Sequence, residues 1–154
     1  VPDLDFRVDD LSGDATRALV AHHLLGMHAS TPPESVFALG VDGLRDPAVT
    51  FWSGWDGDDL VVIGALKQLD PENAELKSMR VADGRLGTGA GRAILRHIVD
   101  AARARGIRTL WLETGTPDDF VPARRLYASE GFVECGPFGD YPESPYSVFM
   151  TRTL

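Results

Sequence analysis

Apolar and polar residues alternate through LDFRVDD near the N-terminus, the pattern of a half-buried strand. From Gly13 to His28 the spacing becomes helical, with Leu19, Val20, His23, Leu24 and Met27 on one face. Pro32 and Pro33 in STPPES force a loop, and a short helix is expected over Val36 to Leu44. VTFWSGW and LVVIGALKQL read as two strands joined by DGDD, a hairpin turn signal. DPEN turns the chain into AELKSMRV, a strand in which the alternation is only partial. After the glycine-rich GRLGTGAG, the residues Ile94, Leu95, Ile98, Val99 and Ala102 form a helical stripe that Gly106 ends. IRTLWLET is rich in β-prone residues and predicts a central strand. A further helix is expected from Val121, with Pro122 in its first turn, to Glu130, where Gly131 stops it. FVECG and SVFMTRTL are the last strands, separated by PFGDYPESP. The predicted order is β-α-α-β-β-β-α-β-α-β-β, a mixed α/β domain, antiparallel at first and then gaining a βαβ crossover.

Composition narrows the function more than the fold. A chain of 154 residues with 44% hydrophobic content suits a single domain, 1–154, with a real core. Its formal net charge of −8 argues against nucleic acid or an anionic membrane as partner and is compatible with a cationic substrate. No apolar run reaches the length of a membrane span, and no segment reads as a signal peptide. Cys135 is the only cysteine, so no internal disulfide forms; with the missing signal this sets the expectation of a cytoplasmic protein. His22, His23 and His28 lack the Cys or Asp partners of a metal site, so no metal is expected. Against the acidic background, Arg80, Arg85, Arg92 and Arg96 cluster around the glycines. They suggest a local anion or, more simply, a solvated basic face.

The glycine stretch admits several readings. The spacing of a dinucleotide fingerprint fails, because its last glycine falls on Arg92 or Ile94. A P-loop needs Gly-Lys-Ser/Thr, which is absent. A plain turn remains open, as does a strand–loop–helix anion site in which glycines expose backbone N–H groups to a phosphate. The surrounding sequence, ELKSMRVADGRLGTGAGRAIL followed by ARRLYASEGF, resembles the GNAT superfamily of N-acetyltransferases. Gly89 and Gly91 match the small positions of its Q/R-x-x-G-x-G/A loop. Ala123, Leu126, Tyr127, Gly131 and Phe132 match its downstream A-x-x-L-Y-x-x-x-G-F pattern. Two positions depart: Leu86 stands where the motif has Gln or Arg, and Phe120 where an Asn is common.

The resemblance implies the acyl-CoA N-acyltransferase fold, a mixed sheet splayed between its fourth and fifth strands. It implies acetyl-CoA as co-substrate and direct transfer to a primary amine of a small molecule or peptide in a ternary complex. A protein N-acetyltransferase and a CoA-binding module without turnover are the alternatives, and a homodimer is compatible with the family. The CoA pyrophosphate would lie on the backbone of Leu86, Gly87, Thr88, Gly89, Ala90, Gly91 and Arg92. Backbone of Met79, Arg80 and Val81 would meet the pantetheine and the oxyanion. Amine acetylation needs a base, because an alkylammonium with a pKa of about 10 has no lone pair for attack. Glu75 is the base candidate by resemblance; on its own it reads equally as a strand-start glutamate paired with Lys77 or Arg80. Glu113, at the end of a very apolar strand, is its rival. Tyr127 is the implied acid toward the departing sulfur, or otherwise a packing tyrosine. Cys135 reads as a small buried hydrophobe rather than a nucleophile. The acceptor would be gripped by the loops MHASTPPES and GDYPESP, through His28, Asp140 and Tyr141, although an acidic solvated loop accounts for Asp140 and Tyr141 as well.

Overall fold

The computed structural model describes residues 3–36 and 39–154. Its elements are β1 (Asp5–Val8), α1 (Asp14–Ser30), α2 (Val41–Leu44), β2 (Val49–Asp56), β3 (Asp59–Gln68), β4 (Asn73–Val81), α3 (Ala90–Ala104), β5 (Thr109–Gly115), α4 (Val121–Ser129), β6 (Val133–Cys135) and β7 (Ser147–Thr153). That is the predicted order. Among the described residues the strands form a seven-stranded sheet in the order β1-β2-β3-β4-β5-β7-β6. Every neighbouring pair is antiparallel except β4–β5, which α3 joins as a crossover.

β3 is buried on both faces, which is why LVVIGALKQL reads as a nearly unbroken apolar run. Val62 and Leu66 pack with Ile94, Leu95, Ile98, Val99 and Ala102 of α3. Ile63 and Ala65 pack with Leu19 and Val20 of α1 and Leu44 of α2 on the other face. The stripe expected on α3 is thus the seam of the larger core. The second helix is shorter than expected, spanning Val41–Leu44 rather than Val36 to Leu44, and Phe37 and Ala38 of that expectation lie outside the described residues. Gly40 is extended (φ −80°, ψ −178°), so the helix cannot propagate back through it.

Two features of β4 position everything that follows. The first is where pairing stops. β4 and β5 pair over Asn73–Leu76 against Thr109–Leu112. Beyond that, β4 keeps only β3 while β5 continues along β7 to Gly115, so the two strands part. The second is a bulge. Ile63 pairs with Arg80 but Ala65 with Lys77, leaving Ser78 and Met79 opposite Gly64. Ser78 takes a left-handed φ of 55° to make room. The extra residue flips the alternation: a Cβ on Gly64 would lie 3.3 Å from Met79 on the α3 side, and one on Gly26 would lie 3.4 Å from the Arg80 guanidinium on the α1 side.

Candidate active site

After β4 the chain makes a single turn at Asp83–Arg85 and enters the glycine loop. Gly87 (φ 74°) and Gly89 (φ 85°) both need left-handed backbone, which side chains resist. Gly89 is the N-cap of α3. The first amides of any helix lack an intrahelical partner. Among the described residues the backbone N–H groups of Leu86 through Arg92 donate to no protein acceptor. The arginines nearby are already engaged. Arg85 is paired with Asp56 (2.8 Å) and Asp59 (3.3 Å), and Arg92 and Arg96 both reach Glu130 (3.0 and 2.9 Å). Arg80 contacts His22 (3.1 Å) and Asp83 (3.4 Å). The basic island is therefore internally neutralised. What the loop offers an anion is a row of amides at a helix N-terminus, a donor set that fits a pyrophosphate. Leu86, in place of the motif's Gln or Arg, is exposed and takes nothing from that set. α4 closes the loop from behind: a Cβ on Gly91 would stand 3.3 Å from Leu126.

Where β4 and β5 part, side chains from four elements line a cavity of about 50 Å³. Glu75, Lys77 and Ser78 come from β4, Glu113 and Gly115 from β5, His23 from α1, and Tyr141 from the loop before β7. Glu75 and Lys77 sit two apart on a strand and so share a face. Their ion pair is made (3.1 Å), but in the interior, with side chains only 5% and 9% exposed. The Tyr141 hydroxyl donates to Glu75 and accepts from Lys77 (2.9 Å). The Tyr141 ring is anchored by an edge contact to Phe138 and a tilted one to Phe149, and Phe138 in turn packs on Trp111. That aromatic cluster folds the PFGDYPESP loop back over the sheet.

Burial pushes the Glu113 carboxyl up from its ordinary 4.5 to about 7; the charge of Glu75 adds to this, while the nearby Ser147 hydroxyl and the Lys77 charge oppose it. Tyr127, on α4, is buried against Phe132. Its phenol lies above the ordinary value of 10, first through burial and then through the Glu113 charge, which places Tyr127 within electrostatic reach of that carboxyl. Phe120 stacks on the main chain of Gly115, where a Cβ would lie 2.5 Å from its ring.

The expected site residues thus divide. Glu75 and Tyr141 come together, and Glu113 lies in the same cavity. Met79, Arg80 and Val81 run along the open edge of β4 beyond its last rung with β5. Leu86 to Arg92 form the loop at the start of α3. His28 and Asp140 are exposed and outside the cavity lining. The α1 histidine that reaches the cavity is His23, legible only as part of the buried helix stripe. Lys77 was visible as a partner of Glu75, but nothing local marked it as buried, because the burial comes from Tyr141. Among the described residues no group of three or more His, Cys, Asp or Glu is arranged to hold a metal, and no helix is long and apolar enough to cross a membrane.

Comparison with known proteins bears on the family and the fold. The model of the acetyltransferase (GNAT) family matches residues 17–132. The chain is 48% identical to the uncharacterized N-acetyltransferase YsnE of Bacillus subtilis, over 98% of this chain and 100% of that one. It is 49% identical to the uncharacterized N-acetyltransferase YedL of Escherichia coli, over 96% and 93%. Among solved structures, a Bacillus subtilis acetyltransferase in complex with CoA shares the fold, with a TM-score of 0.73 at 18% identity and 99% coverage of both chains. The glycine loop, the parted strands and these relatives converge: the chain belongs to the GNAT acetyltransferase family and is an N-acetyltransferase.

Proposed function

We propose that the protein moves an acetyl group from acetyl-CoA directly to a primary amine of a small molecule or peptide, both substrates being bound at once. The observation that carries this reading is Glu113, a carboxyl held near pH 7 at the point where the strands part. The loop amides of Leu86 to Arg92 hold the pyrophosphate, and the open edge of β4 at Met79, Arg80 and Val81 pairs with the pantetheine arm. Acetyl-CoA supplies the activated thioester. Glu113 takes a proton from the acceptor ammonium. A base near 7 rather than 4.5 lessens the mismatch with an ammonium of about 10 by roughly 3 kcal/mol. Glu75, engaged by Lys77 and Tyr141, is assigned to holding those two groups rather than to proton transfer. Tyr127 stays protonated and is assigned the proton that would go to the departing sulfur. A binding module without turnover would need only the loop, and the half-buried carboxyl of Glu113 speaks for turnover.

The test is thiol release from acetyl-CoA over a panel of primary amines. Release above the amine-free background is expected, and its absence across the panel while CoA binds would remove the reading. In the same assay Tyr127→Phe should lower kcat by about 10²-fold with little change in CoA affinity. Equal turnover, with chemistry rate-limiting, would make Tyr127 a packing residue.

A further inference from the structure

The α1 side of the cavity holds polar groups that acetyl transfer to a plain amine leaves idle. His23 is 6% exposed, and its Nδ1 is buried with no partner among the described residues. The Ser78 hydroxyl is buried and unpartnered in the same way, set at its angle by the bulge. The Lys77 ammonium gives one hydrogen to Glu75 (3.1 Å) and one to Tyr141 (2.9 Å), which leaves a third. All three line the cavity that Glu113 lines from β5. The walls therefore differ in character. Glu113 suits an ammonium. The α1–β4 wall presents donors, with the Arg80 guanidinium behind them under α1. Burial, then the charges of Arg80 and His22, push His23 down to about 4, so its ring is neutral and carries one N–H at any working pH.

Buried donors without acceptors are costly, and an uncharged alkyl tail would leave them so. A carboxylate would satisfy all three, with the single His23 ring proton carried on Nδ1. Glu75 already balances most of the Lys77 charge, so the anion would be recognised mainly by hydrogen bonds. Both sets of groups line one cavity of about 50 Å³, and the Lys77 charge acts on Glu113, so a single short acceptor can reach both. We infer that the acceptor is an amine bearing its own carboxylate, a free amino acid, with its amino group toward Glu113 and its carboxylate on Lys77, Ser78 and His23. This rests on the reading of the cavity as the acceptor site. In the reaction the nitrogen–acetyl bond forms and the acetyl–sulfur bond breaks. Of the two protons the ammonium loses, one leaves through Glu113 to solvent and one ends on the CoA thiol.

The test measures kcat/KM for thiol release with matched pairs: L-phenylalanine against phenethylamine, L-methionine against 3-methylthiopropylamine, and 4-aminobutyrate against butylamine. At least one carboxylate-bearing member should exceed its partner by about a hundredfold or more, since a site built to bond a polar group can reject the analogue lacking it by as much as about 10⁴–10⁵. The first two pairs place the carboxylate on the α-carbon and the third at a distance, so they separate the two kinds of amino acid. Ser78→Gly, which keeps the left-handed backbone, and His23→Leu should each cut the ratio within the preferred pair by about tenfold. Amines used as well as or better than their partners would overturn the inference and leave acetyl transfer standing. An unchanged ratio in both variants would overturn the placement of the carboxylate. No thiol release from any member while CoA binds would overturn the underlying reading and this one with it.

Discussion

Glu113→Gln should lower kcat for amine acetylation by about 10²–10⁴-fold, the range expected for removal of a general base. The pH profile carries the sharper information. In the parent, kcat/KM should rise with pH through about 7 as the carboxyl ionises, and the variant should lack that limb. Glu75→Gln should behave differently. Glu75 raises the Glu113 value by its charge, so removing it should move the limb to lower pH without abolishing it. The reverse outcome, a limb lost in Glu75→Gln and kept in Glu113→Gln, would make Glu75 the base. Stability gives an independent readout. The Glu113 value is raised in the fold, so the folded chain holds a proton that the unfolded chain has released between about pH 4.5 and 7. Its contribution to stability therefore falls as pH rises through that window. His23 works the other way: with its value lowered from 6.5 to about 4, it favours the fold at neutral pH and this is lost as pH falls. The two overlap in the parent, so the Glu113 part is read from the difference in Tm between parent and Glu113→Gln. That difference should grow in favour of the variant from pH 5 to 7.5.

Gly89→Val should weaken CoA binding by at least about a hundredfold, because backbone strain of about 1–3 kcal/mol comes together with displaced amides. Gly89 holds φ 85°, where a β-branched residue is a steric outlier. Relief of that strain turns the peptide planes on either side, and these carry the N–H groups that would meet the pyrophosphate. Gly84→Ala is the control: it precedes the loop, has no positive φ, and its Cβ would meet nothing within 4 Å. Calorimetric titration with CoA checks both, beside the Tm of each variant. A folded Gly89→Val that binds CoA like the parent would remove the pyrophosphate from this loop.

The element order was legible because each segment carries its own periodicity, and periodicity is local. What escaped was set by contacts distant along the chain. AELKSMRV alternates only in part because it is two strand segments out of phase across Ser78, and the bulge that explains this becomes visible only against β3. The arginines around the glycines looked available to an anion; their carboxylates lie on the β2–β3 hairpin and after α4, at Asp56, Asp59 and Glu130. Tyr141 looked like a free aromatic wall for a cation, yet its hydroxyl closes on a glutamate 66 residues earlier. Glu113 was readable as a partly desolvated rival because its strand is so apolar, and that local signal held. His28 outranked His23 in the sequence because it borders a loop, whereas the turn of α1 carries His23 inward and leaves His28 in solvent.

The parting of β4 and β5 also has a mechanical meaning. Among the described residues the strand pairing that joins one half of the sheet to the other runs from Asn73–Thr109 to Leu76–Leu112, so the protein resembles a book held at one end of its spine. A guest lying in the open end, as proposed for the pantetheine arm, would supply main-chain partners that neither leaf finds in the other. Amide hydrogen exchange along the free margin of β4 should therefore be fast in the empty protein and slow with CoA present, even at residues that touch no side chain of the guest. By mass action the whole fold gains about 2.7 kcal/mol when CoA stands at a hundred times its dissociation constant. The working lifetime of the enzyme would then follow the supply of its own acetyl donor, so that starvation for that metabolite loosens the catalyst as well as idling it.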